Sequence, residues 1–175
     1  GRSTSYPFKG VYDGGSYKIS NIIITNPASG CATGMFGYLD SGAKVLSIKM
    51  DNASINASAN DNGFIAGCIQ PSSGAIIKNC EVSKSSLTSS NAQNGGICGK
   101  VASGEIEGCR FNGSILVTVG TKHNTGGIAG QISSAGVTIK NCHTDASIKT
   151  NGGNTAGIVG DMNIGSNVTG CTVSE

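Results

Sequence analysis

The residues that could do chemistry in this sequence are few, and their spacing keeps them apart. Ten carboxylates, seven cysteines and two histidines are spread over 175 residues. Glycoside cleavage needs two carboxyl groups about 5–9 Å apart across a cleft. Glu105 and Glu107 are two apart on one extended segment, which points both towards solvent. Asp51 and Asp145 fall in one column of the repeat described below, but three repeats apart. Glu81 lies between Lys49 and Arg110, and Asp40 and Asp161 belong to the first and last repeats. No acid pair is expected. No C-x-x-C is present, and His123 and His143 lie far from clustered thiols, so neither a metal nor a cofactor is expected. A cysteine nucleophile needs a positioned histidine. Cys142 and His143 are neighbours on an extended segment and face opposite ways. H-E-x-x-H, G-x-S-x-G and a phosphate loop are all absent. The chain reads as non-catalytic.

Composition narrows the class further. Glycine occurs 28 times, charged residues make up 13% of the chain, and tryptophan is absent. The usual charged fraction is about 25%. With 37% apolar residues and a net charge of +2, the chain folds and presents a neutral, polar surface. The basic residues form no run, which argues against nucleic acid as a partner. No 18-residue apolar stretch exists to span a membrane. No signal peptide is present either, and Gly1 lies inside a motif, so the sequence is expected to be part of a longer, exported protein.

The elements that would position these residues are repeats. Asn94-Gly95-Gly96-Ile97-Cys98-Gly99 returns as Gly126-Gly127-Ile128-Ala129-Gly130 and Ala156-Gly157-Ile158-Val159-Gly160, with looser copies at Gly34–Gly37 and Gly63–Gly67. The closing glycines Gly37, Gly67, Gly99, Gly130 and Gly160 are 30, 32, 31 and 30 residues apart. A fixed period of this size marks a repeat architecture. Ten to thirteen residues after each closing glycine comes an Ile-x-Asn-Cys-like segment, in which Ile22, Ile48, Cys80, Cys109, Cys142 and Cys171 form one column. Ile24, Met50, Val82, Phe111, Thr144 and Val173 form the next, a period of two that marks a strand with one buried face. A third segment carries Ile55, Leu87, Ile115 and Ile148.

Three short strands per repeat of about 30 residues give an all-β, parallel β-helix of five to six rungs, about 4.8 Å apart. The crossover rule makes it right-handed. The single domain covers 1–175, with 1–30 as leading segment and first rung and 31–175 as the repeats. Asp61-Asn62, Gln93-Asn94, Asn124-Thr125 and Asn154-Thr155 read as a stacked polar corner, with Asn tolerating a left-handed conformation. Lys78, Glu107 and Lys140 fall in one outward column, and Lys49, Glu81, Arg110 and His143 in another. Both are solvated charge ladders. The four in-column cysteines read as an inward ladder of free thiols.

The glycine motif followed by Ile-x-Asn-Cys resembles the GLUG-motif repeats. The opening Phe8-Lys9-Gly10-Val11-Tyr12-Asp13-Gly14-Gly15 with Ile19-Ser20-Asn21 resembles the segment that often leads into them. Ile or Met stands here where the motif usually has Leu. The resemblance implies a bacterial surface protein: an adhesin, or the non-catalytic repeat region of an immunoglobulin A protease-like protein. The resemblance implies no particular ligand; an unidentified host or bacterial surface protein or glycan is expected as partner. The rival reading is a carbohydrate-binding or polysaccharide-cleaving β-helix. An ice-binding solenoid would show a repeated Thr-x-Thr ladder, which is absent.

One column stands out as a candidate interaction site. Met35, Ile65, Ile97, Ile128 and Ile158 should face inward with Leu39, Ile69, Val101, Ile132 and Met162. Strict alternation then puts Phe36, Ala66, Cys98, Ala129 and Val159 outside, although every one is apolar. Either the glycine turns this column inward through a bulge, or it forms an exposed apolar stripe flat enough for a partner. Tyr38, Cys68, Lys100, Gln131 and Asp161 would be its polar rim. End-to-end or edge contact with another chain is also expected, because the final rung shows no polar cap.

Overall fold

The computed structural model describes residues 3–15, 17–26, 31–118 and 123–174. Among them every strand pairing is parallel, no helix occurs, and the strands stack as a β-solenoid of about five turns with a repeat of about 31 residues. One turn runs through four sheets. It starts in a five-stranded sheet (Phe36–Leu39, Ala66–Ile69, Cys98–Val101, Ala129–Ile132, Val159–Met162). It then crosses a six-stranded sheet that begins at Val11–Asp13 and ends at Asn167–Thr169. An eight-stranded sheet follows, with Glu81–Ser89 and Arg110–Val117 at its centre. A four-stranded sheet of very short strands, Asn62–Gly63 to Asn154–Ala156, closes the turn.

The rung therefore has more elements than three strands. A residue of positive φ splits the Ile-x-Asn-Cys segment: Ser47 (53°), Asn79 (55°), Gly108 (61°), Asn141 (55°) and Gly170 (62°). Asn and Gly take this conformation at little cost, which explains their alternation in one column. In Glu81–Ser89, Arg110–Val117 and His143–Lys149 the strand after the corner runs on into the third segment, so the two expected strands are one there, while in the two earlier turns they stay separate as Lys18–Ser20 and Ile23–Asn26, and Lys49–Asp51 and Ser54–Ala57. The first turn is offset: Ile19 pairs with Met50, and Ile24 pairs with Ile55. Ile22 and Ile24 thus belong one segment further on than the sequence columns placed them. Four residues separate Asp13 from Lys18, against two between Leu46 and Lys49.

The core is a continuous stack of side chains inside the four sheets. Leu39, Ile69, Val101 and Ile132 line one side, and Met50, Val82 and Phe111 the other, all at most 1% exposed. Large and small residues interdigitate along the axis. Phe64 stacks on Phe111 with centroids 5.7 Å apart. Phe111 in turn fills the space beside Gly96, where any Cβ would overlap its ring. Thr144 and Val173 do the same for Gly127 and Gly157. In this core the glycines are the partners that let a bulky residue cross the interior.

Two glycine substitutions separate packing from backbone conformation. A Cβ on Gly95 would overlap the carbonyl oxygen of Cys98 and lie 2.9 Å from Ala129 Cα, with only backbone to yield. Gly95→Ala should cost about 3 kcal/mol in urea unfolding. Gly42 has a φ of 74° and nothing within 4 Å of a built Cβ, so Gly42→Ala should cost only about 1 kcal/mol.

Candidate functional site

The glycine corner decides where the candidate column points. Ile97 O accepts hydrogen bonds from both Ile65 N (3.1 Å) and Ala66 N (3.2 Å). Ile128 O does the same for Ile97 N and Cys98 N (both 3.0 Å), and Ile158 O for Ile128 N and Ala129 N (3.0 and 3.1 Å). Two consecutive N–H groups aimed at one carbonyl are a bulge, so two consecutive side chains point the same way. Ala66, Cys98 and Ala129 are fully buried, Phe36 is 8% exposed, and all four belong to the main hydrophobic core. Val159 is half-buried against it. The exposed apolar stripe is thus corrected: the bulge breaks the alternation on which it rested, and the column is core.

Alternation breaks a second time just after the corner. The closing glycine and the residue after it both face outward before Ile69, Val101 and Ile132 turn in again. At Gly67 a Cβ would lie 2.8 Å from Asp61 O, and at Gly99 2.7 Å from Asp61 C. The chain folds back so tightly that the outer sides of the four- and five-stranded sheets face each other. Between them runs a notch along the solenoid axis, with the closing glycines at its base. Asp61, Gln93, Asn124 and Asn154 form one wall; Tyr38, Cys68, Lys100, Gln131 and Asp161 form the other, in register. One side-chain bond crosses it, Asn124 Nδ2 donating to Asp161 Oδ2 at 3.3 Å, and along one wall Gln131 Nε2 donates to the same oxygen at 2.9 Å. Gln93, with its amide nitrogen facing Asp61, donates to Oδ1 at 3.2 Å.

The lower notch is dry. Ala32, Tyr38 and Cys68 pack together at 6–7% exposure, and Ala32 N donates to Tyr38 Oη at 3.1 Å. Burial, reinforced by Asp61 and opposed by Lys100, pushes the Cys68 thiol up to about 12. Burial likewise raises Asp61, against the pull of Lys100. A thiol that stays protonated is not a nucleophile at neutral pH. What remains is a row of amide and carboxylate groups suited to hydrogen bonding.

The inner members of the polar corner are buried. Asn62 Nδ2 donates to Asn94 Oδ1 (2.9 Å), Ala59 O (2.8 Å) and Ser89 Oγ (3.1 Å), which joins one rung to the next. This ladder matches the stacked-corner expectation. The left-handed asparagines, however, sit elsewhere, at Asn21, Asn52, Asn79 and Asn141.

The cysteine column also has a corner role. All seven cysteines are free thiols. Each of the four thiols donates to the carbonyl two residues back: Cys80 to Lys78 O (3.5 Å), Cys109 to Glu107 O and Cys142 to Lys140 O (3.4 Å), Cys171 to Thr169 O (3.5 Å). Cys80 N donates to Cys109 Sγ, and Cys142 N to Cys171 Sγ, both at 3.4 Å. Sulfur is long and soft enough to reach corner groups that the backbone ladder leaves unmatched.

Among the acids, the structure brings Glu105 and Glu107 together after all. Lys140 Nζ lies 3.1 Å from Glu105 Oε1 and 3.8 Å from Glu107 Oε2, and Lys78 Nζ lies 2.7 Å from the latter. Rung spacing, invisible within one repeat, sets both acids under one lysine. The hydrogen bond from Lys78 holds the Glu107 carboxyl below its usual range. Both carboxylates are thus ion-paired members of a surface ladder. His143 faces out, 2.8 Å through Nδ1 from Thr172 Oγ1, while Cys142 is buried. His123 is buried, with neither ring nitrogen bonded. Among the described residues no group of three His, Cys, Asp or Glu side chains could hold a metal ion.

Ala129→Arg tests the inward column. It places a bulky charge in the core and should cost about 4 kcal/mol or more, read as a collapse of the melting temperature. Asp61 gives a pH signature. Folding raises its pKa, so its contribution is fully present below the ordinary range near 3.8 and lost as pH rises through the raised value. Asp61→Asn should therefore raise the melting temperature at pH 7 and leave it unchanged near pH 3. Comparison of the chain with family models, with curated proteins and with solved structures returns no match in any of the three.

Proposed function

We propose that the chain is a rigid, non-catalytic β-solenoid module of an exported bacterial surface protein, acting as adhesin or spacer. The observation that supports this most is the register. Each sheet keeps the same residue-to-residue pairing through successive rungs, with a slip only between Val82 and Ser85. A stack held this way is a rod of constant section, whose outward Ser, Thr and Asn side chains repeat about every 4.8 Å. Such a surface suits a scaffold that sets distance and displays hydrogen-bonding groups. The likeness of its repeats to GLUG motifs supports a cell-surface setting, and the partner we propose there is a host or bacterial surface protein or glycan.

The polar notch favours a second reading, a carbohydrate-binding β-helix. Asp61, Gln93, Asn124, Lys100, Gln131 and Asp161 offer donors and acceptors in a row, the pattern that a chain of sugar hydroxyls requires. An array of host glycans, bacterial polysaccharides and matrix proteins, followed by a reducing-end assay on every hit, separates the readings. Binding without product is the outcome expected of an adhesive module, and no binding that of a spacer. A glycan hit lost in Gln131→Arg places the ligand in the notch. Released reducing ends would show an enzyme and overturn the proposal.

A further inference from the structure

The strand registers on either side of the left-handed corner put Cys80, Cys109, Cys142 and Cys171 at one position of four successive rungs. Below Cys80 the column continues as Ile48, so the row of sulfurs starts at Cys80. Besides the carbonyl two residues back, each thiol has the same second neighbour, a carbonyl of the rung below. Val45 O serves Cys80, Ile77 O serves Cys109 and Ile106 O serves Cys142, all at 3.8 Å, and Ile139 O serves Cys171 at 3.9 Å. These shared contacts give all four cysteines one rotamer. Each sulfur is therefore a copy of the one below it, moved by one rung, and neighbouring sulfurs lie about 4.8 Å apart along the axis.

That spacing selects among the reactions of thiols. The Cβ atoms share it, whereas a disulfide needs them about 3.5–4.5 Å apart, so closing one would require the backbone to shift. A metal–thiolate bond is about 2.3 Å long, and two such bonds in line span about 4.6 Å, close to one rung. The side chains point inward from the wall, so an ion midway between two sulfurs meets each of them at a bent angle, as sulfur prefers. Each gap offers two sulfurs and no third ligand. Among the described residues no three His, Cys, Asp or Glu side chains converge. Zinc and calcium, which need four ligands or more, find no cage there. A soft ion that accepts two thiol sulfurs in line does fit.

The charge of the ion follows from burial. Cys80 and Cys109 are fully buried and Cys142 is 1% exposed, and a net charge placed in such a core is costly. A monovalent ion that displaces one thiol proton leaves the charge of the core unchanged. One S–H bond breaks, the proton passes to water, and the ion is bonded to the resulting thiolate and to a lone pair of the neighbouring thiol. No electron is transferred. We propose that the cysteine column is a binding site for soft monovalent cations of the copper(I) class, each held in line between the sulfurs of two successive rungs.

Silver(I), which is not oxidised or reduced under these conditions, is the probe. The full chain is refolded with one silver ion per chain in chloride-free buffer, so that entry does not depend on opening the packed core. X-ray absorption should show two sulfurs at about 2.3–2.4 Å and no nitrogen or oxygen ligand. Cys109→Ser combined with Cys171→Ser leaves no two neighbouring thiols in the column and should weaken silver binding at least about tenfold. Cys31→Ser combined with Cys68→Ser, outside the column, should leave it unchanged. Circular dichroism checks that each variant folds, and if the column variant does not, the sulfur count of the unaltered chain decides. One sulfur, or three or more, around the ion would overturn the proposal. So would undiminished binding by the folded column variant, loss of binding in the Cys31 and Cys68 variant, or zinc(II) uptake as tight as that of silver.

Discussion

At three successive glycine corners one main-chain carbonyl (Ile97, Ile128 and Ile158) accepts two consecutive N–H groups from the rung below, whereas at the first corner Met35 N and Phe36 N reach Phe64 O and Ile65 O separately; much of the molecule follows from the shared bond. It forces two neighbouring side chains into the core. It brings the backbone of Asp61 and Asn62 against Gly67 and Gly99, closer than any Cβ would allow. It also carries the inter-rung hydrogen bonds through the point where the chain changes direction. The glycine motif is therefore a requirement of backbone packing: at one corner after another a Cβ would meet main-chain atoms.

The other corners meet the same constraint by different means. Between the six- and eight-stranded sheets a left-handed residue makes the turn. Its N–H still reaches the next rung, as with Asn79 N to Glu107 O (2.9 Å) and Gly108 N to Lys140 O (3.0 Å). The thiol that follows takes up the groups that remain. At the four-stranded sheet, a buried amide bond from Asn62 Nδ2 to Asn94 Oδ1 is added to the backbone ladder. Titratable groups consequently appear at corners as structural parts. Cys109 is pushed well above the thiol range by its hydrogen bonds to Cys142 and Cys80, and Cys98 by burial. Neither is poised as a nucleophile.

The notch shows how a surface feature can arise from an interior requirement. Because the corner folds back, two outward columns that are distant in the repeat come to face each other, and Asn124 bonds across the gap to Asp161. Its chemistry varies along the axis, from the dry Tyr38–Cys68 end to the amide-lined Gln131 end, because the outer columns escape the packing constraint that fixes the inner ones.

The repeat period, the parallel β-solenoid, the register of the charge ladders and the free thiol column were all readable from the sequence. Each depends on like residues stacking on like at a fixed spacing, which a periodic sequence states directly. Three things were not readable. The side on which Phe36, Ala66, Cys98, Ala129 and Val159 lie depends on a bulge, and a bulge is a hydrogen-bond count between rungs that alternation along one strand cannot reveal. The convergence of Glu105 and Glu107 on Lys140 depends on a neighbour one rung away choosing its rotamer. The notch depends on the angle at which two sheets meet, and that angle is set by how closely backbone can approach backbone at a glycine.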